Sequence, residues 1–216
     1  MHCFGRRRAW AAPVALRSGA PSDRCVMAAM EAGWVFLLPV KGGRASLQLI
    51  SIHSSESLPS PAQVVGATRA VRDCVGEVGA WSDPVPSMAR IRLPVGKLGS
   101  PRRPGRIAIG EAAVAFDPIC GDGVGHALRG AVLTTIVLQT VARGASPVTC
   151  LGRYSSMLRR TMSHHLGICL RFYRDIAIYG GWCDEIVAME DGVRFLTDGS
   201  VLTASVRGRD DETCAR

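Results

Sequence analysis

The chain has 216 residues, 47% of them hydrophobic and 20% charged, with 26 Lys and Arg against 18 Asp and Glu for a formal charge of +8. That is enough apolar material for one core of ordinary size, which excludes disorder throughout. Half of the positive excess lies in residues 1–24, and aromatics are only 6% and do not interleave with the basic residues, which argues against a nucleic-acid partner.

Arg, Asp, Gly or Pro interrupts every long apolar stretch before it reaches the roughly 20 residues a membrane helix needs, so a soluble protein with no membrane partner is expected. Eight cysteines are scattered without a C-x-x-C pair. They read as small buried hydrophobes in a reducing, cytoplasmic setting, and no metal site is expected.

Residues 1–28 begin with basic residues and an apolar run that Pro13 breaks, and no cleavage pattern follows. They are set outside the fold as a disordered or unrelated segment. Residues 33–39 and 45–52 flank the turn Lys41-Gly42-Gly43-Arg44 and predict a β-hairpin. Residues 53–62, rich in Ser and Pro, predict a loop. Val64, Val65, Ala67, Ala70, Val71 and Cys74 recur at helical spacing and predict one helix over 62–78. Short strands are predicted at 88–94 and 106–109, with a loop at 96–105 between them.

A helix is predicted over 124–143, with Val124, Ala127, Leu128, Ala131, Leu138 and Val141 as its apolar face, ended by Gly144 and Pro147. A second is predicted over 153–173, with Tyr154, Leu158, His165, Leu166, Cys169, Phe172 and Tyr173 along one stripe. Turns at Asp191-Gly192 and Asp198-Gly199 predict a C-terminal hairpin with a polar tail over 191–216. The fold class is α+β: an antiparallel sheet portion over 29–100, then a strand, a Gly-rich turn and long helices over 101–190.

A strand, a Gly-rich turn and a helix N-terminus together hold anions, because the first backbone N–H groups of the helix are unpaired and its dipole is positive there. Gly121, Gly123 and Gly125 let a phosphate or a flat ring approach the backbone, and Glu111 can accept hydrogen bonds from a sugar hydroxyl. The residue three beyond Gly123 is His126, so this is not the G-x-G-x-x-G dinucleotide fingerprint. On residues alone, a turn that merely packs a helix on a strand explains the pattern as well as a ligand site does.

Residues 107–128, IAIGEAAVAFDPICGDGVGHAL, resemble the second FAD-binding motif of flavin monooxygenases of the para-hydroxybenzoate hydroxylase type. The Ala-Phe-Asp-Pro form is most similar to the tryptophan halogenase-like branch and to the branch that matures the tryptophylquinone cofactor. The resemblance implies FAD as cofactor, with Gly110, Glu111, Asp117, Pro118, Gly121, Asp122, Gly123, Val124 and Gly125 as binding positions. Glu111 stands where the family has an Asp on the ribityl chain, Asp117 and Pro118 beside the isoalloxazine, and Gly121 to Gly125 near its pyrimidine edge and the pyrophosphate. Residues 29–100 then correspond to a substrate-domain sheet and 101–190 to the C-terminal part of the FAD domain.

The implied activity is monooxygenation through a flavin hydroperoxide on a small aromatic or peptide-bound substrate, with a flavin reductase or NAD(P)H as electron donor. Flavin-dependent halogenation is the alternative, since residues 33–39, GWVFLLP, resemble the tryptophan-rich strand motif of the halogenases with Phe36 at its second Trp and Leu38 at its Ile. No catalytic acid or base is assigned. Residues 1–32 hold no dinucleotide fingerprint, so the resemblance implies the C-terminal portion of a longer enzyme; a non-catalytic remnant or interaction protein is the remaining alternative. The adjacent pair His164-His165 points about 100° apart on a helix, which places His165 in the core and His164 in solvent. Cys120 is either a packed small residue or a thiol activated beside a helix N-terminus.

Overall fold

The computed structural model describes residues 1–53, 56–93, 99–100, 103–104, 106–176 and 181–198. In chain order these form β1 (His2–Phe4), β2 (Arg8–Leu16), β3 (Val26–Met30), β4 (Gly33–Val40), β5 (Arg44–Ser51), α1 (Pro61–Ala67), α2 (Arg69–Arg72), β6 (Val75–Val78), β7 (Val85–Pro86), β8 (Ala89–Ile91), β9 (Gly99–Ser100), β10 (Arg103–Pro104), β11 (Val114–Ala115), α3 (Gly123–Ala142), α4 (Pro147–Ile176) and α5 (Cys183–Thr197). Two 3-10 turns, Gly110–Ala112 and Pro118–Cys120, flank β11. Contacts divide the chain into two units: residues 6–87 with 173–183, and residues 1–5 with 88–172 and everything from 184 onward.

The first of these is built on an antiparallel sheet of order β3-β4-β5-β2-β6, with β7 also on β2. Alternation along β2 buries Trp10, Ala12 and Val14, which face the sheet's packed side while their neighbours face outward. With Val35, Leu37, Leu47 and Leu49 from β4 and β5, Val14 meets Val64 of α1 and Val71 of α2 in the core. The predicted hairpin is present as β4 and β5, joined by a turn in which Gly42 and Gly43 both take positive φ. Trp34 packs edge-on to Tyr173, with ring centroids 6.4 Å apart, so it serves the core of this unit.

Two predictions fail here. Residues 1–28, expected to stand outside the fold, supply β1, β2 and most of β3, and β2 is an interior strand paired on both sides. Pro13 is tolerated because its ring nitrogen lies on the same edge as the Ala11 amide, opposite residues 79–84, where the neighbouring strand is interrupted between β6 and β7. The predicted helix over 62–78 is instead α1, α2 and β6. Ser60 and Gln63 close a reciprocal capping box at the start of α1, Thr68 breaks the helix with extended backbone, and Val75–Val78 joins the sheet edge.

In the other unit β8 lies between β1 and β11, antiparallel to both, and β9 pairs with β10. The predicted strand over 106–109 does not form; Ile109 is extended at the start of the 3-10 turn, and the strand of this region is β11. The stripe predicted on the second long helix buries Tyr154, Leu158, His165, Leu166, Cys169 and Tyr173 along α4, while Phe172 stays partly exposed. The expected hairpin at 191–216 is replaced at its start by α5; residues 199–216 lie outside the described residues. Gly192 serves close packing there rather than a turn, because an added Cβ would meet Phe4 and Leu166 at 2.5 and 2.8 Å.

The largest correction concerns α3. The helix forms as predicted, but it buries His126, Gly130 and Thr134 and leaves Val124 78% and Leu128 66% exposed, with Val132, Ile136 and Leu138 also outward. Ala127 and Gly130 are small because the 3-10 turn at Gly110 lies against them: Gly110 takes φ 56°, an added Cβ there would stand 3.1 Å from Cβ of Ala127, and one on Gly130 would stand 3.6 Å from the Gly110 nitrogen. The expectation that no stretch is long and apolar enough to cross a membrane also meets an exception, since α3 has 20 residues, a best-window mean hydropathy of 1.2 and only Arg129 as a charge.

Candidate functional site

The site lies at the turn between β11 and α3. Asp117 is almost fully buried and its carboxylate accepts from the Ile119 N–H at 3.0 Å, capping the 3-10 turn that Pro118 begins. Gly121 ends that turn in the left-handed region, φ 63°, which redirects the chain into α3. No side chain caps α3: the Asp122 carboxylate pairs with Arg129 instead, and the first turn holds no acidic residue. Gly121, Asp122, Gly123 and Val124 are exposed, so the helix N-terminus presents uncapped backbone donors, with open space beside Gly121 and Gly123.

Of the positions singled out in the sequence, Pro118 and residues 121–125 therefore gather at this N-terminus. Gly110 is buried against the flank of α3. Glu111 is exposed on the 3-10 turn and pairs with Arg90 of β8 at 3.1 Å, rather than ending a strand as expected. The Asp117 carboxylate is turned into its own turn.

Behind the turn lies a cavity of about 440 Å³, lined by Phe116, Ile119, Cys120, Asp122 and Arg129 on one side and by Thr161, His164, His165, Ile168 and Phe172 of α4 on the other. His165 accepts the Asp117 N–H on Nε2 at 2.8 Å. Its ring stacks on Phe116, with centroids 4.2 Å apart and planes 13° from parallel. Nε2 is also 3.4 Å from Sγ of Cys169, and that sulfur is 3.8 Å from Sγ of Cys120. The Cys169 thiol and then His165 stabilise a thiolate at Cys120, outweighing its partial burial and drawing its pKa down to about 5. Burial, helped by Arg129, lowers that of His126 below the ordinary histidine value.

The sequence places His165 in the core and Cys120 in the turn, but its cysteines are scattered without a C-x-x-C pair and predict no metal site. The predicted stripe already puts His165 and Cys169 on one face of a helix, and the signal left unread is that this i, i+4 pair offers two ligand atoms together. Only the tertiary fold brings Cys120 to them.

No protein-family model matches the sequence, and no curated protein is significantly similar to it. Solved structures do match. The flavin-dependent halogenase CmlS superposes with a TM-score of 0.62 at 16% identity over 88% of this chain and 37% of its own. The peptidyl tryptophan dihydroxylase QhpG, essential for tryptophylquinone cofactor biogenesis, gives 0.56 at 18% over 86% and 44%. Xcc4156, a flavin-dependent halogenase from Xanthomonas campestris, gives 0.56 at 19% over 96% and 40%. The chain thus spans less than half the length of each, and across most of its residues it has the fold of that part of these proteins.

Proposed function

We propose that the chain is the C-terminal part of an FAD-dependent oxidoreductase, a monooxygenase acting on an aromatic or peptide-bound substrate. The observation that carries this reading is the uncapped, exposed N-terminus of α3 behind the left-handed Gly121, at the turn whose sequence resembles a flavin motif, in a chain with the fold of part of flavin-dependent halogenases. Those features fit FAD. The N–H groups of Gly123, Val124 and Gly125 would face its negatively charged portions, and Gly121 and Gly123 have open space where a Cβ would stand. Reduced flavin supplies the activation of oxygen; the chain's own residues bind and orient. The Asp122–Arg129 pair leaves the helix donors open, and the Asp117 cap holds the turn in shape.

The exposed row Val124, Leu128, Val132 and Ile136 supports the same reading, because it is the kind of surface another part of a larger fold would cover. Halogenation is the second reading, favoured by the resemblance at residues 33–39 and by the halogenases among the structural neighbours. The test is flavin content: the chain is purified alone and, separately, with its upstream coding region in frame, and visible absorption is recorded for each. Flavin in the extended protein supports the proposal; its absence from a folded extended protein overturns it and favours a non-catalytic interaction protein.

A further inference from the structure

We propose that Cys120, His165 and Cys169 form a binding site for a thiophilic divalent cation of the zinc type, held by two thiolates and an imidazole. Their ligand atoms all lie within 4.8 Å of one another. Bond lengths of about 2.3 Å to sulfur and 2.0–2.1 Å to nitrogen in a tetrahedral zinc site separate two sulfurs by about 3.8 Å and a sulfur from a nitrogen by about 3.5 Å. The Cys120 and Cys169 sulfurs are 3.8 Å apart, and the Cys169 sulfur is 3.4 Å from Nε2 of His165. Two edges of the coordination polyhedron are therefore already in place.

The framework is built to hold them. His165 and Cys169 sit one turn apart on α4, both buried, and Phe116 stacks on the imidazole and fixes its plane. Cys120 comes from the 3-10 turn that the Asp117 carboxylate caps. Cys120 and His165 line the cavity behind that turn whereas Cys169 does not, so a fourth position opens on the cavity and a water would complete the tetrahedron. Nε2 now accepts the Asp117 N–H, and binding exchanges that neutral hydrogen bond for a metal bond, while the Cys169 thiol proton leaves to solvent together with any proton still held by Cys120. Soft sulfur donors select zinc over magnesium or calcium, which take oxygen.

This site does not rest on the flavin reading, and its test needs no flavin. The full chain is stripped of metal with a chelator, kept reduced and anaerobic, and titrated with Co2+ as a spectroscopic probe. A one-to-one complex with a near-ultraviolet sulfur-to-cobalt charge-transfer band and visible bands of tetrahedral cobalt, both abolished by Zn2+, is expected. Cys120→Ser, on the partly exposed turn, loses most of the charge-transfer band, and His165→Gln weakens binding. Cys25→Ser and Cys183→Ser, at exposed positions of the other unit, leave the band intact. Folding of each variant is checked by far-ultraviolet circular dichroism; if Cys169→Ser does not fold, Cys120→Ser decides. Absence of the band from a folded protein with its thiols intact overturns the proposal, as does a band that survives in folded Cys120→Ser.

Discussion

His165 ties three parts of its unit together: the Asp117 backbone by a hydrogen bond, Phe116 by stacking and Cys169 by a sulfur contact. Its replacement leaves the buried Asp117 N–H without its acceptor, so His165→Ala is expected to cost about 1–3 kcal/mol of stability, measured by urea unfolding of the metal-free chain. His126 carries a different consequence. Its folded pKa is below the ordinary 6.5, so on acidification the unfolded chain takes up a proton that the folded chain refuses. Its contribution is complete above 6.5 and is lost as pH falls toward the folded value. Unfolding free energy measured from about pH 7 to pH 5 should therefore fall less steeply in His126→Phe, which keeps a ring and cannot titrate. A steeper fall in the variant would refute this.

At the level of elements, packing decides signs that propensity alone gets wrong. Alanine in place of a helical glycine ordinarily stabilises by about 0.5–1 kcal/mol. In α5 the added methyl of Gly192→Ala would press on Phe4 and Leu166, and overpacking of about 1–3 kcal/mol outweighs that gain. A lower thermal midpoint is expected in calorimetry. The same contest explains which elements were legible in the sequence. The two long helices and the β4–β5 hairpin carry strong local signals, a 3.6-residue stripe and a Gly-rich turn, and they form where expected. Residues 62–78 look helical throughout, yet Val75–Val78 meets the edge of β2 and its backbone groups pair there. Asp191-Gly192 looks like a turn, yet Gly192 is in a helix because Phe4 and Leu166 need the space. Strand pairing and close packing act between residues far apart in sequence, so no local window contains them.

For the molecule as a whole, the outward apolar row of α3 is the feature that a larger enzyme would explain. Leu128→Lys and Val132→Lys touch an exposed surface, so each should stay within about 0.5 kcal/mol of the parent stability in this chain, read by urea unfolding. In the upstream-extended protein the same substitutions should weaken or abolish flavin retention, read at the flavin absorption bands. Retention as strong as the parent's would detach α3 from the proposed second half. The sequence by itself determined that α3 and α4 are helices, that Gly121 to Gly125 form a turn at a helix start, and that this turn resembles a flavin motif, because these depend on residues close together in the chain. Only the tertiary structure decided that residues 8–16 are an interior strand, that α3 turns His126, Gly130 and Thr134 inward, and that Cys120 meets His165 and Cys169. Each of those depends on what a residue packs against: the interrupted neighbour opposite Pro13, the Gly110 turn beside α3, and the fold that returns α4 to the turn from which α3 departs.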